Sequence, residues 1–135
     1  MRDALALQRF EIVHLLAYVD PRTGDVLFNE DERLPARGLL KLLERAGTTL
    51  LFLATCDSLT LGAILSRSVS VVAASEDVLS AKMIAWEECF YGLLAKGMSL
   101  AASYDLAQAT ADLPMRLLMR NDVVFVATPL QRSAD

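Results

Sequence analysis

The residue with the clearest chemical potential is Cys56, in the stretch TTLLFLATCDSLTLG over residues 48–62. The apolar and β-branched run predicts a buried strand that ends just before this cysteine, and a helix over residues 57–66 is predicted after it. A thiol at a strand end is either a nucleophile or a small buried hydrophobe. The following helix would lower the pKa of the Cys56 thiol, whereas the carboxylate of Asp57 would raise it. The cysteine alone does not decide between these interpretations.

The histidine, the cysteines and the acidic stretches of the chain form no recognisable metal site or acid–base pair. His14 is the only histidine, and Cys56 and Cys89 lie too far apart along the chain to match a zinc-binding spacing. Cys89 falls in the middle of a predicted helix, where packing explains it. The acidic stretches 30–32 and 87–88 lack a spaced partner and are expected to be solvated surface. We therefore expect no metal and no cofactor.

The composition of the chain limits which classes of protein and which partners are plausible. A chain of 135 residues fits a single domain over residues 1–135, and its net charge of −4 without a basic cluster argues against nucleic acid as a partner. No window is long and apolar enough to cross a membrane, and the layout of a signal peptide is absent. A cytoplasmic protein is expected. The apolar fraction of 54% and mean hydropathy of +0.37 favour contact with another protein.

The pattern of apolar runs and turn signals predicts an α/β fold with a largely parallel sheet. In such sheets, sites gather at the carboxyl ends of strands, where Cys56 is expected. Predicted strands cover residues 10–19, 48–55, 68–75 and 122–127, with a short one at 25–28. Predicted helices cover residues 2–9, 35–46, 57–66, 79–95 and 99–113, with a further helical turn or two at 115–120.

Four segments, in order, resemble the CHAT domains, bacterial relatives of caspases and separase in the caspase-like clan of cysteine peptidases. FEIVHLLAYVD resembles the family's D-I-V-H-F-A-G-H-G strand, and LLFLATCDS resembles its V-V-L-S-A-C-E-T-G. The segment that starts SVSVVAASEDV resembles its next strand and long helix, which ends in F-Y before a G-x-S helix start. MRNDVVFVA stands where its closing strand belongs. The order and spacing of these segments carry the resemblance.

The resemblance implies a three-layer caspase-like domain with a mostly parallel four- to five-stranded sheet flanked by helices. The family's first strand and helix are missing from this chain. The resemblance also implies that Cys56 matches the catalytic nucleophile and that Tyr18 occupies the position of the catalytic histidine. His14 matches the first histidine of the motif and is expected to be structural, about 13 Å back along a continuous strand. A phenol keeps its proton at neutral pH and cannot act there as the general base for a thiol.

Further departures fall around the same position. Val19 replaces the glycine after the catalytic histidine, and the family's C-E-T-G becomes Cys56 followed by Asp57, Ser58 and leucine. A valine hinders the close approach of a substrate that glycine allows. If a pocket exists at this edge of the sheet, Val19, Asp57, Ser58 and Glu76 are expected to line it.

The expected function is that of a non-catalytic CHAT-like interaction or regulatory module. The missing first strand predicts an uncovered sheet edge, and hence a homodimer through residues 2–9 and 10–19, with the long helix as a rival surface. Two alternatives stay open. One is an active cysteine peptidase that uses Cys56 and takes its base from a partner, and the other is a small-molecule-binding α/β domain.

Overall fold

The computed structural model describes residues 11–28, 31–55, 57–76, 78 and 80–125. This part of the chain has an α/β fold with one four-stranded sheet and a separate three-stranded antiparallel sheet. The strands are β1 (Ile12–Leu15), β2 (Tyr18–Val19), β3 (Val26–Leu27), β4 (Arg33–Leu34), β5 (Leu50–Leu53), β6 (Ser70–Ala74) and β7 (Met115–Leu118). The helices are α1 (Ala36–Ala46), α2 (Leu59–Leu65), α3 (Ser80–Ala95) and α4 (Leu100–Thr110).

The main sheet has the strand order β1-β5-β6-β7. Its first three strands run parallel, and their register sets His14 beside Phe52 and Leu51 beside Val71. The last strand, β7, runs antiparallel to β6. The second sheet has the order β2-β3-β4 and interrupts the connection from β1 to α1. A mostly parallel sheet is therefore confirmed, with four strands in the described part of the chain.

Alternate residues of the central strands belong to two different hydrophobic clusters. On β5, Leu51 and Leu53 belong to the cluster that includes residues of α1, α2 and the small sheet. Their neighbours Leu50 and Phe52 belong to the cluster that includes residues of α3 and α4. Because successive side chains of a strand point to opposite faces, the two clusters cover opposite faces of the sheet. Both central strands are fully buried, as their continuous apolar runs predict.

Local signals explain where two of the helices begin and end. Helix α1 ends at Gly47, whose φ of 70° is the left-handed conformation that glycine adopts without a steric penalty. Helix α4 begins after Ser99, whose hydroxyl accepts a hydrogen bond from the backbone amide of Ala102. Both boundaries agree with the predictions from sequence.

Three predicted segments are wrong in detail. The single strand predicted over residues 10–19 is two strands of different sheets, because the chain leaves β1 after Leu15 and pairs again, antiparallel with β3, at β2. The helical turn predicted at residues 115–120 is the strand β7, which pairs with β6. The strand predicted at 122–127 is not formed at residues 122–125, which have no regular secondary structure.

Some predictions fall outside the described residues. These are the helix at residues 2–9, the end of the predicted last strand, and Cys56 itself. Of the helices that the structure describes, none is long and apolar enough to span a membrane.

Candidate functional site

A cavity of about 460 Å³ opens at the carboxyl ends of β1 and β5. These two strands are neighbours and run parallel, so the cavity lies at the sheet edge where α/β proteins commonly bind ligands. Its walls come from the segment after β1, the end of β3 and the segment after β5. The lining residues are Leu16, Ala17, Tyr18, Leu27, Phe28 and Thr55.

Two large side chains of this cavity are unusually exposed. Leu16 and Tyr18 are each 80% exposed, and Phe28 is 38% exposed. Tyr18 is exposed because successive side chains of β2 point to opposite sides of the small sheet. Val19 points into the first cluster, so Tyr18 points outwards. The cavity therefore has an apolar rim that is open to solvent.

The lining offers little for acid–base chemistry. Among the described residues that line it, Tyr18 and Thr55 carry a hydroxyl group, and none of these described side chains is an imidazole or a carboxylate. Thr55 directly precedes Cys56, which lies outside the described residues. An apolar wall of this composition suits burial of an apolar group rather than proton transfer.

Ser58 connects the segment that follows β5 to the end of β6 by hydrogen bonds. Its side chain is completely buried, and its hydroxyl donates to the carbonyl of Thr55 at 3.0 Å and accepts from the amide of Ala74 at 3.2 Å. Its own amide donates to the carbonyl of Ala74 at 3.0 Å. Through these bonds Ser58 holds Thr55, the residue before Cys56, and the end of β6. Its role is structural, and it does not line the cavity.

The other residues expected to line a pocket lie elsewhere. Val19 is buried in the first cluster, and Asp57 and Glu76 are exposed and do not line the cavity. Asp57 has a φ of 51°, a left-handed conformation that aspartate tolerates better than most residues. The chain thus turns sharply directly after Cys56 in sequence.

His14 lies on the face of the sheet that α3 covers. Its ring stacks on Phe52 with centroids 5.0 Å apart and planes 10° apart, and its Nδ1 lies 3.0 Å from the hydroxyl of Tyr91. Its Nε2 lies 3.9 Å from Oε1 of Glu87, and 38% of its side chain is exposed. The imidazole is therefore bound to α3 and is absent from the lining of the cavity.

Burial and charge alter the titration of both helix residues that contact His14. Burial raises the pKa of Tyr91, and the nearby Glu87 carboxylate raises it further. Burial also raises the pKa of Glu87, whereas the charge of His14 lowers it and that of Glu88 raises it. Tyr91 therefore keeps its proton at neutral pH, and the direction of its hydrogen bond with Nδ1 depends on the tautomer of the ring.

Sequence reasoning missed this cluster. Glu87 was expected to be solvated surface, but it faces His14, so that expectation is wrong for this residue. The signal was present, because Glu87 and Tyr91 are four residues apart and lie on one face of a helix. What the sequence did not show was that this face meets β1. Cys89 is partly buried beside the second cluster, as predicted.

Comparison of the sequence with models of known protein families and with curated proteins finds no match. Within the described ranges, no three histidine, cysteine, aspartate or glutamate side chains are grouped so that they could hold a metal ion.

Proposed function

We propose that this protein is a non-catalytic interaction module with a three-layer caspase-like fold, related to the CHAT domains, and that it binds a second copy of itself. The observation that carries the proposal is the exposure of Leu16 and Tyr18 at the rim of an apolar cavity. Tyr18 occupies the position that the resemblance gives to the catalytic histidine. The surface that would hold a peptidase's base thus presents a large, solvent-exposed side chain.

The side chains around the cavity support the absence of peptidase chemistry. A thiol nucleophile needs a base within hydrogen-bond reach, at about 3 Å or through one water. His14 is engaged with Tyr91 and Glu87 on the α3 face of the sheet, and the described residues of the cavity lining include no other imidazole and no carboxylate. Loss of a positioned base typically lowers the rate by about 10²–10⁴-fold.

The exposed rim supports self-association through this end of the sheet. Within the described residues, β1 pairs only with β5, so one edge of this strand has no strand partner there. The rival surface on the long helix is weaker, because its Met83, Trp86 and Phe90 are buried against the chain's own sheet. A two-fold contact that places each apolar rim against its copy would need to bury about 1,000 Å² or more.

Sedimentation equilibrium at micromolar concentration tests the association. Leu16→Asp should weaken self-association at least tenfold, because it places a charge in the apolar contact. The matched control is Ile84→Asp, which changes a side chain that is 53% exposed on α3 and should leave association unchanged. A wild-type protein that is monomeric at every concentration, or an Ile84 variant that dissociates as much as the Leu16 variant, would reject this dimer.

A peptidase assay separates the proposal from its first alternative. The purified protein should not cleave broad peptide libraries, and Cys56→Ala should be indistinguishable from the wild type. Turnover that disappears in Cys56→Ala would show an active cysteine peptidase.

The second alternative, a small-molecule-binding domain, is favoured by the volume and apolar lining of the cavity. A thermal-shift screen in which an apolar ligand stabilises the wild type but not a Tyr18→Ala variant would support it.

A further inference from the structure

We propose that a second, polar cavity at the opposite end of the main sheet binds a small carboxylate monoanion. The cavity has a volume of about 150 Å³ and lies between the residues before β5, those at the start of β6 and those after β7. Its polar lining residues are Thr48, Thr49, Ser68, Ser70, Arg120 and Asn121. None of these residues lines the apolar cavity, so the polar cavity is independent of the proposed interaction.

Hydrogen bonds join the three walls of the polar cavity. The amide of Ser70 donates to the carbonyl of Thr49 at 3.0 Å, and the amide of Arg120 donates to the hydroxyl of Ser70 at 2.9 Å. The guanidinium of Arg120 donates through Nη1 to the carbonyl of Arg67. The chain itself therefore holds these walls in place, and a ligand does not have to order them.

Thr48 supplies the observation that points to a ligand. The residue is only 7% exposed, and its hydroxyl oxygen is buried with no hydrogen-bond partner among the described residues. A buried hydroxyl without a partner is uncommon in folded proteins, because it has lost its bonds to water and gained none in return. Thr48 lines the polar cavity, so an acceptor atom held there would satisfy this hydroxyl.

The charges around the polar cavity favour a monoanion. Among the described lining residues, Arg120 is the charged one, and its Nε and Nη2 carry further donors besides the Nη1 that contacts Arg67. A guanidinium and a carboxylate match through two parallel hydrogen bonds. On another side, the hydroxyl of Ser68 donates to Oε1 of Glu44 at 3.1 Å. The Glu44 carboxylate would repel a doubly charged anion more strongly than a singly charged one.

The volume limits the size of the acid. Pockets for drug-sized ligands measure about 300–1,000 Å³, whereas this cavity measures about 150 Å³. We therefore expect a free acid with a short carbon chain rather than the carboxylate at the end of a peptide. An affinity in the millimolar range is expected for so small a ligand.

An NMR titration with sodium acetate tests the site, with sodium chloride at the same ionic strength as the reference. The backbone amide signals of Thr49, Ser70 and Arg120 should shift with acetate and reach saturation. Acetamide has the shape of acetate without its charge and should bind at least about tenfold more weakly. Inorganic phosphate at pH 8, which is mostly a dianion, and triglycine, whose carboxylate ends a peptide, should also bind more weakly than acetate.

Two substitutions test the contacts. Arg120→Gln should weaken acetate binding about tenfold, and the variant should fold because this side chain is exposed. Thr48→Val keeps the shape of the side chain and removes the hydroxyl, so it should weaken acetate binding about three- to tenfold without lowering the thermal stability. The matched control is Arg116→Gln, which removes the same charge from an exposed position of β7 outside the polar cavity and should change the affinity less than about twofold.

Several results would overturn this site. One is the absence of a saturable shift with acetate, and another is binding of acetamide, phosphate or triglycine as tight as that of acetate. Equal acetate affinities of the Arg120 and Arg116 variants would show that the guanidinium of Arg120 does not hold the ligand. A Thr48→Val variant that is less stable than the wild type would show that the hydroxyl has a partner within the protein.

Discussion

Replacing Ser58 with alanine should loosen the segment that carries Cys56. The Ser58 hydroxyl makes two hydrogen bonds, to the carbonyl of Thr55 and from the amide of Ala74, at a site with no solvent exposure. Leaving the buried amide without a partner costs about 1–3 kcal/mol, and the lost bond to Thr55 adds about 1 kcal/mol. We therefore expect Ser58→Ala to lower the free energy of unfolding by about 2–4 kcal/mol.

The assay is urea unfolding at neutral pH, with Ser66→Ala as the matched control. The Ser66 hydroxyl donates one bond, to the carbonyl of Ala63 at 2.9 Å, at a partly exposed helix end. Its loss should cost less than about 0.5 kcal/mol. Equal stability losses for Ser58→Ala and Ser66→Ala would refute the role assigned to Ser58.

Three further predictions follow from local geometry, and each is checked by thermal or urea unfolding. Gly92→Ala should stabilise α3 by about 1 kcal/mol, because alanine favours the helix more than glycine does and the added methyl group meets no atom within 4 Å. Gly97→Ala should instead cost about 1–2 kcal/mol, because the φ of 86° at this position is a left-handed conformation that disfavours alanine. Asp57→Gly should be more stable than Asp57→Val by about 1–2 kcal/mol, because φ is 51° there. Tyr104→Phe should cost about 1 kcal/mol, since its hydroxyl donates to the carbonyl of Met115 at 2.7 Å. The opposite sign in any of the three contradicts its explanation.

The parts of the fold that sequence predicts are those with local signals. Leu39 and Leu43 lie one turn apart on α1, and Gly47 marks its end, so the helix could be placed before its partners were known. The strand β7 is the opposite case. Its sequence MRLL contains good helix formers. It becomes a strand because Met115 pairs with Ala74, which lies 41 residues earlier in the chain. Long-range pairing overrides propensity there.

The candidate site was only partly predictable for the same reason. The apolar run over residues 10–19 contains no glycine or proline to mark a break, yet Leu16 and Ala17 separate two sheets. That break turns Tyr18 away from the continuation of β1 and creates the cavity with Phe28. The general location, at the carboxyl ends of parallel strands, followed from topology alone. The residues that line it depended on where β3 packs, which the sequence pattern does not encode locally.

The two sides of the cavity are held by different kinds of contact, and this difference has a consequence for binding. On the side of β5, Ser58 fixes the chain through neutral hydrogen bonds that are fully buried, so their strength should vary little with pH. On the side of β1, His14 joins the strand to α3 through its contacts with Glu87 and Tyr91, and 38% of its side chain is exposed. Because solvent weakens exposed polar contacts, the wall that carries Leu16 is held less tightly than the segment after β5. Binding at the rim should therefore slow amide hydrogen exchange at residues 16–18 more than at residues 57–58, and equal protection of the two segments would contradict this difference.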